Sequence, residues 1–344
     1  MRNKKEKYLS KKLKTIEVKY KKSISELLSD MSETGFQGRK LGEVVKVFEK
    51  MVKDKETTIF FGFAGSMSTT GQWKLIKWLM ERRFIDVFVP TGANISEDIQ
   101  DSLHGYYQGH WLVDDEELWK LKIFRYYDVF TDGIKYRKMT DLIKDFALTL
   151  KENYPYSTRE FCWLFGKFLA QRNIDCLLAT AYKKKIFVFS PALVDSEYGI
   201  ALVLAIRNHK KHIILDQTKD FYEITKIGEK SKKTGAVFIG GGVPKDFIQM
   251  VAAEKGVIKG ETLDYPHRYA IQITTDSPQW GGLSGATFEE AISWGKEAKK
   301  GNNVQCYCDA TIALPLVCHA LAERLSNFKR KPPKFLEKMF NEPV

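Results

Sequence analysis

The stretch "TTIFFGFAG", Thr57–Gly65, is where the character of this chain changes. Residues 1–56, ahead of it, carry apolar side chains at helical spacing, as in "SISELLSDMSETG" and "KLGEVVKVFEKMVKD". The stretch itself is a run of β-branched and aromatic residues that ends in small ones, which is typical of a strand. We therefore predict a helical, basic N-terminal arm over residues 1–56 and a different class of structure from residue 57.

After Thr57, strand-like runs alternate with amphipathic helical patterns. The strand candidates are "TTIFFGFAG", "FIDVFVPTG", "KKIFVFSPA", "HIILD", "GAVFIGGG", "YAIQITT" and "NVQCYCDA". Between most of them lie helical patterns such as "TGQWKLIKWLMERR", "YGIALVLAIRNHK" and "TIALPLVCHALAERL". Such alternation indicates βαβ units. We predict the fold class α/β: one large, doubly wound, mostly parallel Rossmann-like sheet with helices on both faces, over residues 57–330. Residues 331–344 are predicted to form a C-terminal tail.

Composition and charge limit the functional classes to which this sequence belongs. The chain has 344 residues, 44% of them hydrophobic, which is enough for a full core. Its formal net charge of +12 lies largely in the first 22 residues and in "NFKRKPPKF". Because this charge is terminal and no nucleic-acid motif accompanies it, solvated lysine-rich helices are favoured over nucleic-acid binding; an acidic protein partner is the other possibility. No apolar run of membrane-spanning length and no secretory signal is present, so we expect no membrane association and a cytoplasmic location.

The cysteines and histidines give no sign of a metal site. The five cysteines lie in apolar runs and are predicted to be reduced core thiols. Cys306 and Cys308 alternate along a predicted strand, and no second Cys/His pair stands at ligand spacing, so we expect no bound metal. The six histidines are scattered, and we assign none of them a catalytic role.

Small and hydroxyl-bearing residues follow most predicted strands. These loops read "AGSMSTTG", "PTGANISED", "SPALVDSEYG", "GGGVPKD", "TTDSPQWGGLSGAT" and "CDATIALP". In parallel sheets ligands bind beyond the carboxyl ends of the strands, where small residues let a phosphate approach the N–H groups of helix N-termini. The strict dinucleotide and P-loop fingerprints are absent. The acids Glu97, Asp195 and Asp309 in these loops are expected either to accept ribose hydroxyls or to cap helices.

The segment "FEEAISWGKEAKKG", Phe288–Gly301, is predicted to be a helix, with acids early and lysines late. Lys296 follows directly after Trp294 and Gly295 and is separate from Lys299 and Lys300, the lysines at the end of the predicted helix. Desolvation beside an indole would lower the pKa of a lysine and make its amine a nucleophile. Glu290 shares the predicted helix face with Trp294, and a carboxylate beside an indole suits a cationic aliphatic substrate. The competing interpretation is a helix C-terminal lysine beside a core tryptophan.

Several motifs occur together and in order. They are "MSETGFQGRKLGE", "PTGANISED", "SPALVD", "GGGVPK", "GGLSGAT", "EEAISWGK" and "CDATIALPL". In this order, over about residues 25 to 325, the sequence resembles the deoxyhypusine synthase family. The resemblance implies a Rossmann-like subunit in a homotetramer, with NAD at the subunit interfaces and spermidine as substrate.

The resemblance also implies a reaction. A hydride passes from the carbon beside the secondary amine of spermidine to NAD, and the resulting imine loses 1,3-diaminopropane. Lys296 captures the aminobutyl group as an imine, an acceptor amine displaces it, and the stored hydride reduces the new imine. The acceptor is a lysine of the hypusine-containing translation factor, or, in relatives, a small amine such as putrescine, which gives homospermidine. A different alternative is a catalytically silent NAD-binding partner of an active paralogue, against which the intact Lys296 argues.

Residue roles follow from the same resemblance. Lys296 is the covalent carrier, Trp294 lines the aminobutyl channel and Glu290 holds a substrate ammonium. The NAD site takes Ser66, Thr69, Thr91, Glu97, Asp195, Gly240, Gly241, Thr275, Ser284, Asp309 and Ala310.

The chain departs from the family pattern in the polyamine pocket. The turn before "SGA" lacks the aspartates of the eukaryotic enzymes and reads Trp280-Gly281-Gly282-Leu283. Ile200 stands in place of another acid, and Asp246 in place of a histidine. The pattern looks more like the bacterial-type, deoxyhypusine synthase-like branch. Asp246 and Asp276 are candidates to replace the lost charge, so we include Asp246 among the expected substrate-binding residues.

Overall fold

The computed structural model describes residues 2–259 and 266–341. Its helices are α1 (Arg2–Tyr8), α2 (Ile24–Met31), α3 (Phe36–Lys53), α4 (Trp73–Glu81), α5 (Asn94–His104), α6 (Asp115–Lys120), α7 (Gly133–Leu148), α8 (Thr158–Gln171), α9 (Leu177–Lys184), α10 (Glu197–His209), α11 (Gln217–Lys230), α12 (Gly242–Lys259), α13 (Phe288–Ser293), α14 (Ala310–Arg324) and α15 (Phe335–Asn341). Its strands are β1 (Thr57–Phe63), β2 (Val87–Pro90), β3 (Tyr107–Gln108), β4 (Ile123–Tyr126), β5 (Val129–Asp132), β6 (Pro155–Tyr156), β7 (Phe187–Val188), β8 (Ile214–Leu215), β9 (Lys233–Ile239), β10 (His267–Thr274) and β11 (Glu297–Tyr307).

A six-stranded parallel sheet in the order β11-β10-β9-β1-β2-β7 organises the chain, which confirms the predicted α/β class. Every side chain of β1 is buried, because both faces of the sheet are covered. Phe61 and Phe63 enter a core with α3, α4 and α14, whereas Phe60 enters a second core with α11, α12 and α15. Burial of each such ring stabilises the fold by about 2 kcal/mol.

The sheet has a topological switch point beside β1. From β1 the chain moves to β2 and β7 on one side, and later returns to β9, β10 and β11 on the other. The loops after β1 and β9 therefore meet at the carboxyl edge, where Ala64 donates its N–H to the carbonyl of Ile239 at 3.0 Å. Ligands of doubly wound sheets bind at such a crevice. The structure thus brings the predicted loops "AGSMSTTG" and "GGGVPKD" together at the place expected for a ligand.

Two small sheets lie outside the main one. The predicted strand "HIILD" is not a strand of the main sheet: among the described residues β8 pairs with β6 alone. Asp216 follows β8 directly and caps α11 by accepting the N–H groups of Thr218 and Lys219. An antiparallel sheet of β3, β5 and β4 covers part of residues 107–132. That sheet was not predicted from the sequence.

The N-terminal region is less helical than predicted. Residues 12–19 adopt no helix: their apolar side chains Leu13, Ile16 and Val18 are exposed and pack in no core. Lys14 and Lys22 pair with Asp30 on α2. Helix α3 buries its apolar side, including Val44 and Phe48, in the first core. The division at residues 56 and 57 stays a prediction. Residue 1 and residues 342–344 of the predicted arm and tail lie outside the described residues.

The segment after α14 is anchored by a buried ion pair. Arg330 donates to both carboxylate oxygens of Asp86, at 2.8 and 2.7 Å, and to the carbonyl of Thr57 at 2.7 Å. Both side chains are almost completely buried. Further on, Leu336 and Phe340 of α15 fill the second core. In the residues described here, no helix is long and apolar enough to cross a membrane, and no group of His, Cys, Asp and Glu side chains could hold a metal ion.

Replacement of Arg330 by methionine should therefore destabilise the fold strongly. The carboxylate of Asp86 would stay buried without its counter-charge, which costs about 3–5 kcal/mol. Urea denaturation measures this loss in the free energy of unfolding. Arg207→Met, at an exposed position on α10, is the matched control and should change stability by less than about 0.5 kcal/mol. Equal stability of the two variants would contradict the anchoring role.

Candidate active site

The segment around Lys296 is a turn, and the prediction of one helix over residues 288–301 is wrong. Helix α13 ends at Ser293, and Gly295 adopts a positive φ of 68°, a conformation that favours glycine and ends the helix. The N–H of Lys296 donates back to the carbonyl of Ala291 at 3.0 Å. Strand β11 begins at the next residue. Lys299 and Lys300 consequently lie on a strand and do not finish a helix.

Lys296 and Asp246 form an ion pair at the end of this turn. The Nζ atom of Lys296 lies 2.9 Å from Oδ1 of Asp246, and 5.7 Å from the ring centroid of Trp294. The lysine side chain is 14% exposed, whereas Trp294 is 67% exposed. Trp294 is therefore not a core tryptophan, so the competing structural interpretation fails. The geometry is a partly buried amine held between a carboxylate and an indole that faces solvent.

The two carboxylates predicted to bind substrate, Asp246 and Glu290, differ in their exposure and in their contacts. Asp246 contacts the amine of Lys296 directly. Glu290 is exposed in the first turn of α13, where its N–H bonds to the capping Thr287 hydroxyl. Glu290 makes no hydrogen bond to Lys296 among the described residues, but it is close enough to act electrostatically on Lys245, the neighbour of Asp246. The carboxylate of Asp246 therefore contacts the amine of Lys296, and the carboxylate of Glu290 is exposed to solvent in the same region.

Behind the ion pair lies a buried layer that was not predicted from the sequence. Lys245 is 1% exposed, and its Nζ donates to the side-chain oxygen of Gln272 and to the carbonyls of Leu283 and Ala286 at 2.7–3.2 Å. Burial lowers the pKa of Lys245 to about 8. Because all three hydrogen bonds of its ammonium go to protein oxygens, Lys245 is a positioning residue for the turn over residues 283–286. A lysine in the first turn of a helix, against the helix dipole, was the available signal.

Glu297 is the acidic member of this layer. Its carboxyl group is 1% exposed, and Oε1 accepts a hydrogen bond from Gln249 at 3.1 Å. Burial raises the pKa of Glu297 to about 8. The partly accessible Asp246–Lys296 ion pair thus lies beside two buried groups, Lys245 and Glu297, which influence each other electrostatically but form no ion pair among the described residues.

The glycine turn after β9 packs against the turn that Lys245 holds. The N–H of Gly242 donates to Oγ of Ser284 at 3.0 Å. A Cβ on Gly241 would lie 2.5 Å from the Cα of Ser284, so only glycine fits there. Gly240 and Gly242 have φ values of 72° and 58°. The turn leads directly into the N-terminus of the 18-residue helix α12, and a helix N-terminus is a favourable place for a phosphate.

A second group of predicted residues gathers after β1 and β2. The hydroxyl of Ser66 donates to the carboxyl of Glu97 at 3.2 Å, and Thr69 donates to Ser66 at 3.1 Å. Asn94 bridges the hydroxyl of Thr91 and the carbonyl of Gly65. Burial, followed by the charge of Glu197, raises the pKa of Glu97 to about 8. A protonated carboxyl here can donate as well as accept hydrogen bonds.

The remaining predicted residues lie at the ends of β7, β10 and β11. Thr275 follows β10, and Asp195 is exposed in the loop after β7. Asp309 caps α14 by accepting the N–H of Thr311 at 2.7 Å, and Ala310 is the first residue of that helix. Capping was one of the two roles expected for Asp309. No hydrogen bond in the described residues joins these four to the Ser66–Glu97 or Gly241–Ser284 groups.

The family model and the curated relatives agree on one family. A deoxyhypusine synthase family model matches residues 26–321. "Probable deoxyhypusine synthase 2" of Methanosarcina mazei is 46% identical over 91% of each chain, and that of Archaeoglobus fulgidus is 42% identical over 85% of this chain and 95% of its own. A "deoxyhypusine synthase-like protein" of Chlorobaculum tepidum is 34% identical over 94% of this chain and 93% of its own.

A solved structure supports the fold independently. The chain from Entamoeba histolytica, named for a deoxyhypusine synthase, superposes with a TM-score of 0.61 at 17% identity, over 93% of this chain and 98% of its own. At that identity the likeness concerns the fold alone. The family model and the curated relatives carry the assignment, and the chain belongs to the deoxyhypusine synthase family.

Proposed function

We propose that this protein is an NAD-dependent transferase that moves the 4-aminobutyl group of spermidine, through an imine on Lys296, to an acceptor amine. The proposed acceptor is a lysine of the hypusine-containing translation factor precursor. The observation that carries the proposal is the amine of Lys296, 2.9 Å from the Asp246 carboxylate and beside the exposed Trp294 ring. Membership of the deoxyhypusine synthase family supports the reaction class.

The residues at the carboxyl edge of the sheet fit NAD. The turn of Gly240 and Gly241 has no room for a Cβ at Gly241 and precedes the N-terminus of α12, which suits a pyrophosphate. The residues that would hold NAD are Ser66, Thr69, Thr91, Glu97, Asp195, Gly240, Gly241, Thr275, Ser284, Asp309 and Ala310. The chemistry that bound NAD supplies is removal of a hydride from the carbon beside the secondary amine and its return after the transfer.

Lys296 would act on the carbon–nitrogen double bond that this dehydrogenation creates. Its Nζ lone pair attacks the imine carbon, the bond from that carbon to 1,3-diaminopropane breaks, and the departing amine takes up the proton that Lys296 loses. The four-carbon group stays on Lys296 as an imine. The acceptor amine then repeats the exchange and releases Lys296 unchanged, so that Lys296 acts as a covalent carrier.

Asp246 and Trp294 have matching roles in this exchange. A lysine amine attacks only after it has given up a proton, and the Asp246 carboxylate is the acceptor at hydrogen-bond distance. The indole of Trp294 offers an apolar and cation-attracting wall for the aminobutyl chain. Glu290, exposed on α13, would pair with a substrate ammonium. The protein would act as a homotetramer, as the family resemblance implies.

A small amine is the second candidate acceptor. Ile200, and the turn of Trp280 to Leu283, carry no acid where the resemblance leads us to expect acids in the protein-modifying eukaryotic enzymes. A changed polyamine pocket favours a changed substrate, and putrescine as acceptor would give homospermidine. The same lysine chemistry serves both acceptors, since each presents a primary amine.

Replacement of Lys296 by alanine should abolish the transfer. The wild-type protein, incubated with NAD and spermidine, is expected to release 1,3-diaminopropane and to label either the translation factor or putrescine, detected by chromatography with mass analysis. Because the carrier amine is gone, Lys296→Ala should lower product formation at least a thousandfold. Lys299→Ala, which removes an exposed lysine three residues further on, should retain wild-type rates.

The acceptor and the activity are tested in the same assay. Label on the factor's lysine identifies a deoxyhypusine synthase, and homospermidine identifies a polyamine-forming enzyme. The absence of diaminopropane under all conditions, together with equal behaviour of wild type and Lys296→Ala, would contradict the proposed function and favour the silent NAD-binding partner.

The buried Glu297 predicts a pH dependence of stability. The carboxyl keeps its proton in the folded state up to about pH 8 but loses it near its usual value of 4.5 in the unfolded state. The unfolding free energy therefore falls as pH rises between these values, by at most about 1.4 kcal/mol per pH unit from Glu297. Glu297→Gln should flatten the fall in unfolding free energy between pH 5 and pH 8, measured by denaturant titration.

Glu289→Gln, an exposed carboxyl on α13, is the control and should follow the pH profile of the wild type. Lys245 affects stability in a different pH range. Its pKa in the folded state, about 8, lies below the usual value of 10.5, so its contribution to the unfolding free energy changes with pH only above about pH 8. Parallel profiles of Glu297→Gln and wild type between pH 5 and pH 8 would show that Glu297 is charged in the folded protein.

A further inference from the structure

The strand that follows Lys296 joins the main sheet in two separate places. His267 of β10 pairs with Glu297 at the start of β11, but the next pair along β10 joins Tyr269 to Asn302. A step of two residues on β10 thus corresponds to a much longer step on β11, and residues 298–301 form a bulge. Because this bulge separates Glu297 from the regular ladder, the ladder alone does not fix the position of Lys296.

His267 links the backbone of Lys296 to helix α12. Its N–H donates to the carbonyl of Lys296 at 3.1 Å. Its side chain is fully buried, with Nε2 at 3.3 Å from the carbonyl of Ile248 on α12 and Nδ1 at 2.8 Å from the hydroxyl of Thr234 on β9. A neutral imidazole that donates through Nε2 and accepts through Nδ1 satisfies both contacts. Burial keeps the ring neutral, because it lowers the pKa of His267 to about 4.

Gln249 and Glu297 form a second link between the same two elements. Both side chains are buried, and the amide of Gln249 donates to Oε1 of Glu297 at 3.1 Å. Gln249 lies on α12 one turn after Asp246, and Glu297 is the residue next to Lys296. The second oxygen of Glu297, Oε2, is buried and has no hydrogen-bond partner in the part of the chain that the structure describes. The bond from Gln249 is therefore what holds the Glu297 side chain there.

A stabilising role alone does not explain this buried polar pair. Burial of polar groups carries a desolvation cost, so two apolar side chains would hold α12 to β11 equally well. Apolar contact has no preferred direction, whereas a hydrogen bond fixes both a distance and an angle. The bond between Gln249 and Glu297 is therefore suited to set the position of α12 relative to the start of β11.

We propose that these buried side chains form a clamp that positions Lys296 against Asp246. The clamp consists of His267, Gln249 and Glu297. It joins β11 to α12 at two points, and the 2.9 Å contact between Lys296 and Asp246 spans the same two elements. Each member acts through Lys296 or Asp246 and is therefore a positioning residue. The inference deepens the proposed aminobutyl transfer and rests on it only for the effect on turnover; the position of Lys296 is a separate claim.

Chemical labelling of Lys296 in the full-length protein tests the clamp without turnover. Acetic anhydride must reach an amine whose side chain is 14% exposed and held on Asp246. Gln249→Met and Glu297→Met each remove the buried hydrogen bond, which frees the start of β11 to move away from α12. Both variants should raise the labelling rate of Lys296 at least threefold, towards the rate in Asp246→Asn, where the ion pair is lost. Peptide mass analysis measures this rate, with the exposed Lys299 as internal reference.

Two control variants separate positioning from general stability. Glu297→Gln keeps the shape and an oxygen that accepts the bond from Gln249, so Lys296 should be labelled at the wild-type rate. Gln100→Met is the matched control for a lost buried amide, because Gln100 is buried on α5 and donates to the hydroxyl of Thr131 at 3.0 Å. Gln100→Met should melt at a lower temperature than wild type but leave the labelling of Lys296 unchanged.

The double variant Gln249→Met/Glu297→Met covers the case in which a single variant does not fold. It replaces the polar pair by an apolar one, so it should fold and still label Lys296 at the faster rate. A wild-type labelling rate of Lys296 in the folded double variant, or in either folded single variant, would overturn the proposal. So would equal acceleration in Gln100→Met, which would attribute the effect to lost stability.

Turnover distinguishes the clamp from the proposed function. In an active enzyme Gln249→Met should lower kcat for the release of 1,3-diaminopropane at least tenfold and change KM for spermidine less than twofold, because the carrier amine is displaced. Faster labelling of Lys296 in Gln249→Met, without turnover by the wild type, would sustain the clamp and reject the proposed function. Wild-type kcat and labelling in Gln249→Met would sustain the proposed function and reject the clamp.

Discussion

The complete burial of β1 on both faces is the constraint on which the structure depends. A parallel strand with apolar side chains above and below has no place for polar chemistry along its length. Polar and small residues are therefore confined to the loops at the strand ends and to the helices that cover the sheet. At the switch point between β1 and β9, the loop after β1, which begins at Ala64, contacts the loop after β9, which begins at Gly240.

The same constraint explains why the Lys296–Asp246 ion pair has a buried layer behind it. Helix α12 must cover the sheet, so its first turn carries one residue towards the interior, Lys245, and the next, Asp246, towards Lys296. A lowered pKa is often the mark of a nucleophilic lysine. Here the lysine whose pKa falls to about 8 is Lys245, but its hydrogen bonds are engaged by three oxygens. Lys245 therefore supports the 283–286 turn, whereas Lys296 is the more accessible of the two lysines and is the one that we propose as the carrier.

Local sequence pattern was sufficient for the main sheet and its loops, because strand ends with small residues can be recognised from a few neighbouring positions. Local pattern did not predict the features that long-range packing determines. The strand predicted at "HIILD" forms at Ile214–Leu215, but it pairs with β6 and not with the main sheet. The helix predicted over residues 288–301 ends early because Gly295 takes a left-handed conformation. The burial of Lys245 and Glu297 depends on the position of α12 over β10, which no local pattern contains.

The most direct test of Lys296 as the covalent carrier is to trap the group on that lysine. The protein would be incubated with NAD and spermidine, reduced with borohydride, digested, and its peptides identified by mass. We expect one aminobutyl group, on Lys296, that is absent without NAD or without spermidine and accumulates more slowly in Asp246→Asn, whose side chain cannot accept the proton. Modification of Lys245 or another lysine, or no modification while 1,3-diaminopropane is released, would contradict the carrier role.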